Sequence, residues 1–278
     1  MRTKAKNIII RTKRAVFNEY LANHPSIFDG DGLDFSELRE YVSGEDAKKI
    51  DHKTSAKKQK PYVKVYKSER ELNIAVFSLL GGSVYFGTQT LKQDLIAQIV
   101  ATIGISAITY QDRFSHYIYT DSINSHIKPA KKLISVTKAV EDVLSFESVG
   151  KSIELKNLQN TIQSHIKKRS IIFLVGDFFE SIDLKRLNIK HEMIVIIVRD
   201  RFEEDLSEIS LINLTDASTK QTISVDMDKN FIKEYKQKIK AHDHRLFEEF
   251  KKAKVRFVKI YTDENPTQKL RKLFMGQR

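Results

Sequence analysis

The sequence predicts an α/β fold, a mostly parallel central sheet with helices on both faces, and two observations predict it. Residues 72–79 (LNIAVFSL) form an almost uninterrupted apolar run, too short for a helix and followed by Gly81-Gly82, so they read as a strand buried on both faces. From there on, short apolar runs alternate with stretches of helical periodicity, the pattern of parallel strands joined by crossover helices. Open α/β sheets place their sites at the carboxyl ends of buried strands, which draws attention to Ser83.

Taken in order, residues 2–22 set Ile8, Ile9, Ile10, Val16, Phe17 and Leu21 among lysines and arginines, an amphipathic helix expected to pack on its own domain. Residues 28–58 begin with glycines and aspartates, carry a short helical pattern at 36–42 capped by Ser36, and become strongly charged after Ser43-Gly44. Residues 61–71 alternate Tyr62, Lys64 and Tyr66 against Val63 and Val65, an edge strand expected to lead into the central one. Residues 1–71 are therefore expected to form a basic helix and a loop-rich cover, and 72–278 the α/β domain. In that domain the patterns predict strands at 72–79, 116–120, 171–175, 193–198 and 255–261 and a hairpin from 209–214 and 222–225. Helices are expected at 91–110, 130–146, 153–167, 184–189, 230–253 and 267–274.

Composition narrows the function. A chain of 278 residues with 41% hydrophobic residues can bury a substantial core, and no apolar run reaches the roughly 18 residues of a membrane span. No signal-peptide run stands at the amino terminus, so the expected compartment is the cytoplasm. The absence of cysteine excludes disulfides, thiolate nucleophiles and cysteine-bound zinc. The net charge of +12 is concentrated at 48–60, 128–132, 165–169 and 229–259, which suits acidic partners or a solvated basic surface.

Few catalytic patterns survive. Asp29, Asp31 and Glu40 fall at calcium-loop positions, but Leu33 takes a ligand position and Asp34 stands where the turn needs glycine. There is no Walker loop, no GxGxxG and no Gly-x-Ser-x-Gly elbow. His242 and His244, two apart on a predicted helix, face different ways and read as surface residues rather than a metal pair. Asp31, Glu40, Asp46 and Asp51 beside Lys48, Lys49 and Lys53 are better explained as salt bridges of the cover than as a nuclease-like cluster, so no enzyme is expected.

Three segments carry a resemblance. The stretch from Gly30 to Phe77, with Gly30, Gly32, Phe35, Leu38, Arg39, Glu40, Tyr41, Gly44, Asp46, Ile50, Asp51, Ala56 and Glu69-Arg70, resembles the signature of domain-of-unknown-function family 58. His52 stands where that family usually has tryptophan, and Glu45 conserves a usual acidic position. FLVGDFFES at 173–181 resembles its strand-and-aspartate motif, and VRDRFEEDL at 198–206 its Asp-x-x-Glu segment. The resemblance spans about residues 28–275 and implies a Rossmann-like von Willebrand factor A domain.

That fold implies a metal-ion-dependent adhesion site of Asp-x-Ser-x-Ser, a threonine and a second aspartate, ligands suited to magnesium. Aligning Phe86-Gly87 on the family's Phe-Gly places Leu79, Gly81 and Ser83 on the first three positions, Ser152 on the threonine and Asp177 on the later aspartate. One carboxylate and two hydroxyls are too few charged ligands, so no metal is expected, and Asp177 is expected to cap the following helix. The resemblance implies a non-enzymatic adaptor that partners a MoxR-type AAA+ ATPase and a client protein. Arg39, Glu40, Asp46 and Asp51 are its partner-binding candidates, with Ser83 and Asp177 at the sheet end. The alternative is a nucleic-acid-binding protein using Lys57, Lys58 and Lys60 with Tyr62, Tyr66, Phe231 and Tyr235 for stacking.

Overall fold

A computed structural model describes residues 2–21, 34–42, 50–67, 71–180, 182–206, 209–215, 217 and 221–275. In chain order its elements are α1 (Arg2–Leu21), β1 (Asp34–Glu40), α2 (His52–Lys58), β2 (Tyr62–Lys67), β3 (Asn73–Leu79), α3 (Lys92–Thr109), β4 (Arg113–Tyr119), β5 (Ile123–Ala130), α4 (Leu133–Ser145), α5 (Leu155–His165), β6 (Ile171–Gly176), α6 (Lys185–Lys190), β7 (Glu192–Arg199), β8 (Ile209–Thr215), β9 (Thr222–Met227), α7 (Lys229–Lys252), β10 (Arg256–Tyr261) and α8 (Pro266–Met275). They fall into two compact units, residues 29–72 and the remainder.

The smaller unit holds an antiparallel pair, β1 with β2, in which Phe35 faces Tyr66 and Glu40 faces Tyr62. The expected helix at 36–42 is thus a strand, because cross-strand pairing outweighs a weak local helical spacing. The strand expected to lead into the central sheet pairs instead with β1. Asp51 caps α2, its carboxylate accepting from the Lys53 N–H at 3.2 Å and the Thr54 hydroxyl at 2.9 Å.

The larger unit is built on a six-stranded sheet of order β10-β7-β6-β3-β4-β5. All neighbours are parallel except β4 and β5. Strand β3 is central and buried along almost its whole length. Its residues alternate between two covered faces. Ala75, Phe77 and Leu79 join one core cluster with Leu158 and Ile162 of α5 and Leu246 and Phe250 of α7. The opposite face packs under α3, α4 and α8. Helix α3 is apolar nearly all round because it is covered twice, by the sheet below and by α1 outside, where Lys4 pairs with Asp94 at 2.6 Å. Gly104 lets α4 close on α3: a Cβ there would lie 2.7 Å from Val136. Among the described residues no helix is long and apolar enough to cross a membrane.

A second strand lay outside expectation. Residues 123–130 form the antiparallel edge strand β5, and the helix expected from 130 begins at Leu133. This segment, INSHIKPA, intersperses polar residues among its apolar ones and contains proline, both suited to an edge.

The strand order fixes where a site belongs. From β3 the chain moves outward through β4 and β5, then returns to the other side of β3 as β6. The sheet therefore reverses direction between β3 and β6, and the loops leaving their carboxyl ends part to opposite faces, leaving a crevice.

Candidate functional site

Residues from three loops converge on that crevice. Asp177 directly follows β6, Glu203 lies in the short 3-10 turn after β7 (residues 201–203), and Lys92 opens α3 after the β3 loop. Lys92 is fully buried, and its ammonium group donates to Asp177 Oδ2 at 3.2 Å and Glu203 Oε1 at 2.5 Å. The ring of Phe179 lies 5.3 Å from the same nitrogen. A buried lysine is costly unless its charge is met, and here two carboxylates and an aromatic face meet it. Burial pushes the Glu203 carboxyl above its ordinary value, against the pull of Lys92.

A second carboxylate ties the loops together. Asp200, at the end of β7, accepts from the Thr88 N–H at 2.9 Å, the Thr88 hydroxyl at 3.1 Å and the Thr262 hydroxyl at 2.6 Å. It also accepts from the Phe202 N–H at 3.0 Å, while Glu203 reaches back to the Asp200 N–H at 2.9 Å, a capping box. Burial would raise the Asp200 carboxyl, but the hydrogen bonds from Thr262, Thr88 and Phe202 hold it below its ordinary 3.8. Its contribution to stability is therefore complete above that value and is lost as pH falls through the depressed one. Asp200→Ala, which orphans the Thr88, Phe202 and Thr262 donors, is expected to cost about 1–3 kcal/mol in urea denaturation. A loss no larger than that of an exposed aspartate would show that the clamp contributes nothing.

Beside it, Arg199 is completely buried, with Nη2 3.4 Å from Asp243 and the guanidinium 3.9 Å from the Phe179 ring. Lys259 completes the network, bonding Asp243 at 2.5 Å and Glu204 at 2.7 Å. Phe179 thus covers two buried cations, and it is itself 36% exposed. Tyr85 and Phe86 on the neighbouring loop are 56% and 38% exposed, and Phe86 packs on Phe202 with ring centroids 6.3 Å apart. The Phe86 carbonyl accepts from the Lys92 N–H at 2.8 Å, fixing these aromatics around the same crevice.

The five positions of the implied adhesion site fare differently. Leu79 is packed in the core cluster, and a Cβ on Gly176 would touch its side chain at 2.9 Å. Gly81 abuts Ile153, whose Cγ1 would lie 2.9 Å from an added Cβ. The segment carrying Ser152 does run beside the glycine pair, since the Gly82 N–H donates to the Lys151 carbonyl at 2.8 Å, but Ser152 is exposed and Ser83 only half-buried. Asp177 does not cap the next helix, which begins at Lys185 after Leu184; it is held by Lys92. Hydrocarbon stands where a hard cation would need oxygen, and the remaining carboxylate already has a cation, so these residues do not fit a divalent ion. Among the described residues no group of three or more histidine or acidic side chains is arranged to hold one.

The signature candidates lie in the smaller unit. Glu40 pairs with Lys60 at 3.0 Å, which holds its carboxyl below the ordinary value, and Arg39 reaches the Glu40 carbonyl at 3.5 Å. Asp51 is the cap of α2, and Asp46 lies outside the described residues. His242 is half-buried, 3.0 Å from the Phe178 carbonyl, and not the surface residue expected; His244 is exposed.

Sequence reasoning missed Lys92. A signal existed, since a lysine at the first position of a helix opposes the helix dipole and needs a compensating partner. The Asp-x-x-Glu segment is legible in the sequence as the spacing of a capping box, the geometry that Asp200 and Glu203 adopt.

A family model described as "Protein of unknown function DUF58" matches residues 37–245. Among solved structures the chain is similar to the conserved hypothetical protein BatB from Bacteroides thetaiotaomicron, at 10% identity over 74% of this chain and 98% of that one, with a TM-score of 0.47. It is also similar to an aerotolerance-related membrane protein from Bacteroides fragilis NCTC 9343, at 10% identity over 73% and 97%, with a TM-score of 0.46. No curated protein matches the chain.

Proposed function

We propose a function from one premise: this chain belongs to the DUF58 family. Its larger unit is a von Willebrand factor A-like domain that works as a non-enzymatic adaptor, docking another protein on the carboxyl end of the sheet. The observation that carries this reading is the exposed aromatic rim of Tyr85, Phe86 and Phe179 around a charge cluster already neutralised from within. Exposed aromatics grouped at a sheet end suit protein docking, where buried aromatic anchors supply most of the affinity. The partner we propose is a MoxR-type AAA+ ATPase acting with a client protein, in the cytoplasm.

The test is a pull-down and titration with the MoxR-type ATPase of the same source, with and without nucleotide. Binding should be recovered, and Phe86→Ser with Phe179→Ser should weaken it at least about tenfold, or roughly 1.4 kcal/mol. No recovery at low salt in either nucleotide state would refute the partnership; full binding by the double variant would refute the docking face.

A second reading has its own observation. Lys229, Lys233, Lys236 and Lys240 follow one face of α7 and, with Leu206 and Ile232, line a hollow of about 550 Å³. Such a row suits a phosphate backbone, and Lys236 is already paired with Asp205 at 2.5 Å. Steeply salt-dependent binding of single-stranded DNA, lost on neutralising Lys229, Lys233 and Lys240, would favour it.

A further inference from the structure

We infer that the Lys92 ammonium group is the built-in cation of this sheet end, doing for Asp177 and Glu203 what a bound divalent ion would otherwise have to do. Two carboxylates delivered by different loops to one buried crevice repel each other and lose their hydration, so either one of them takes up a proton or a positive charge lies between them. Lys92 supplies it from the first turn of α3, with no exposed surface and with both carboxylates in hydrogen-bonding reach at 3.2 and 2.5 Å. The covalent tether means that the group is always at hand and cannot be exchanged or removed by a chelator.

The surroundings agree with that assignment. A hard divalent cation takes about six oxygen ligands and keeps some as water. Here Leu79 stands against Gly176, the residue before Asp177, Ile153 stands against Gly81, which offers no side-chain oxygen, and the Phe179 ring lies 5.3 Å from the ammonium nitrogen. A single ammonium, with three N–H donors and small demands on geometry, suits this enclosure better than an ion with a hydration shell. For the docking proposed above, on which this last consequence alone rests, partner binding at the sheet end should be indifferent to chelators.

The inference is tested on the isolated chain, without any partner, so that its failure and a failure of the adaptor reading remain separable. Calorimetric and thermal-shift titrations with manganese and magnesium chloride compare the wild-type chain, Lys92→Ala and Lys92→Ala with Asp177→Asn. Lys92→Ala removes the stem as well as the charge and so vacates the volume an ion with its own waters would need; it should bind manganese at least about tenfold more tightly than wild type and melt higher in its presence. The added Asp177→Asn should abolish that gain. Equal affinities for wild type and Lys92→Ala, or a gain that survives Asp177→Asn, would overturn the inference. Should Lys92→Ala not fold, the neutral set Lys92→Met, Asp177→Asn, Glu203→Gln decides: it should recover most of the melting temperature that Lys92→Met alone loses, and failure to recover any would overturn the inference.

Discussion

Replacing Lys92 by methionine is expected to destabilise the protein by about 3–5 kcal/mol at neutral pH, the usual effect of leaving buried partners without their counter-charge. Methionine keeps most of the side-chain volume, so the loss is electrostatic and not a cavity. Asp177 is 3% exposed and the Glu203 side chain 12%, so neither reaches water freely once the ammonium is gone. The pH dependence identifies the cause. Glu203 already sits above its ordinary value through burial, and losing the opposing pull of Lys92 raises it further. A carboxyl raised on folding carries a penalty that is present at high pH and is removed as pH falls through the raised value. The deficit of Lys92→Met relative to wild type should therefore shrink toward acid in urea denaturation between pH 7 and 5. A deficit that is constant with pH would point to lost packing alone.

Acid should weaken the fold through a different residue. His116, on β4 beside the central strand, is completely buried, and burial depresses its imidazole from 6.5 to about 3. Its Nε2 lies 2.9 Å from the Ser78 hydroxyl, and among the described residues Nδ1 has no hydrogen-bond partner. Above pH 6.5 the ring is neutral folded and unfolded, and it contributes no pH dependence. Between 6.5 and about 3 the unfolded chain takes up a proton that the folded one refuses, so stability falls as pH falls. At about 1.36 kcal/mol per pH unit the full window amounts to about 5 kcal/mol. His116→Leu should remove this part of the acid sensitivity. Since Asp200 and Glu203 titrate in both proteins, the difference between the two curves isolates the imidazole; parallel curves from pH 7 to 4 would show that His116 is protonated without cost in the fold.

The sheet was legible where burial is two-sided. The apolar run of β3, its break at Gly81-Gly82 and the long periodic stretch of α3 are local signals, and that strand and that helix appear within a residue of expectation at each end. The errors share one physical origin, structure decided by a pairing partner and not by the segment's own periodicity. Strand β5 carries almost no apolar signal because it lies at an edge, and β1 forms because β2 is there to pair with it. The site divides in the same way. Asp177 could be located from its motif, but its partner is 85 residues earlier in the chain and on another element, and sequence spacing could not bring the two together. What could be read locally was the departure of Leu79 and Gly81 from an oxygen-rich ligand set; what meets Asp177 instead required the fold.

The most direct measurement is a lysine-selective 1H–15N correlation spectrum of the side-chain ammonium groups at neutral pH, assigned by its loss in Lys92→Met. Exposed ammonium protons exchange quickly with water, whereas a charged group enclosed by Asp177, Glu203 and Phe179 should give a persistent resonance. One such signal is expected for Lys92, unchanged by magnesium or by chelator and shifted in Glu203→Gln. A Lys92 ammonium that exchanges as fast as the surface lysines, or one displaced by millimolar magnesium, would contradict it.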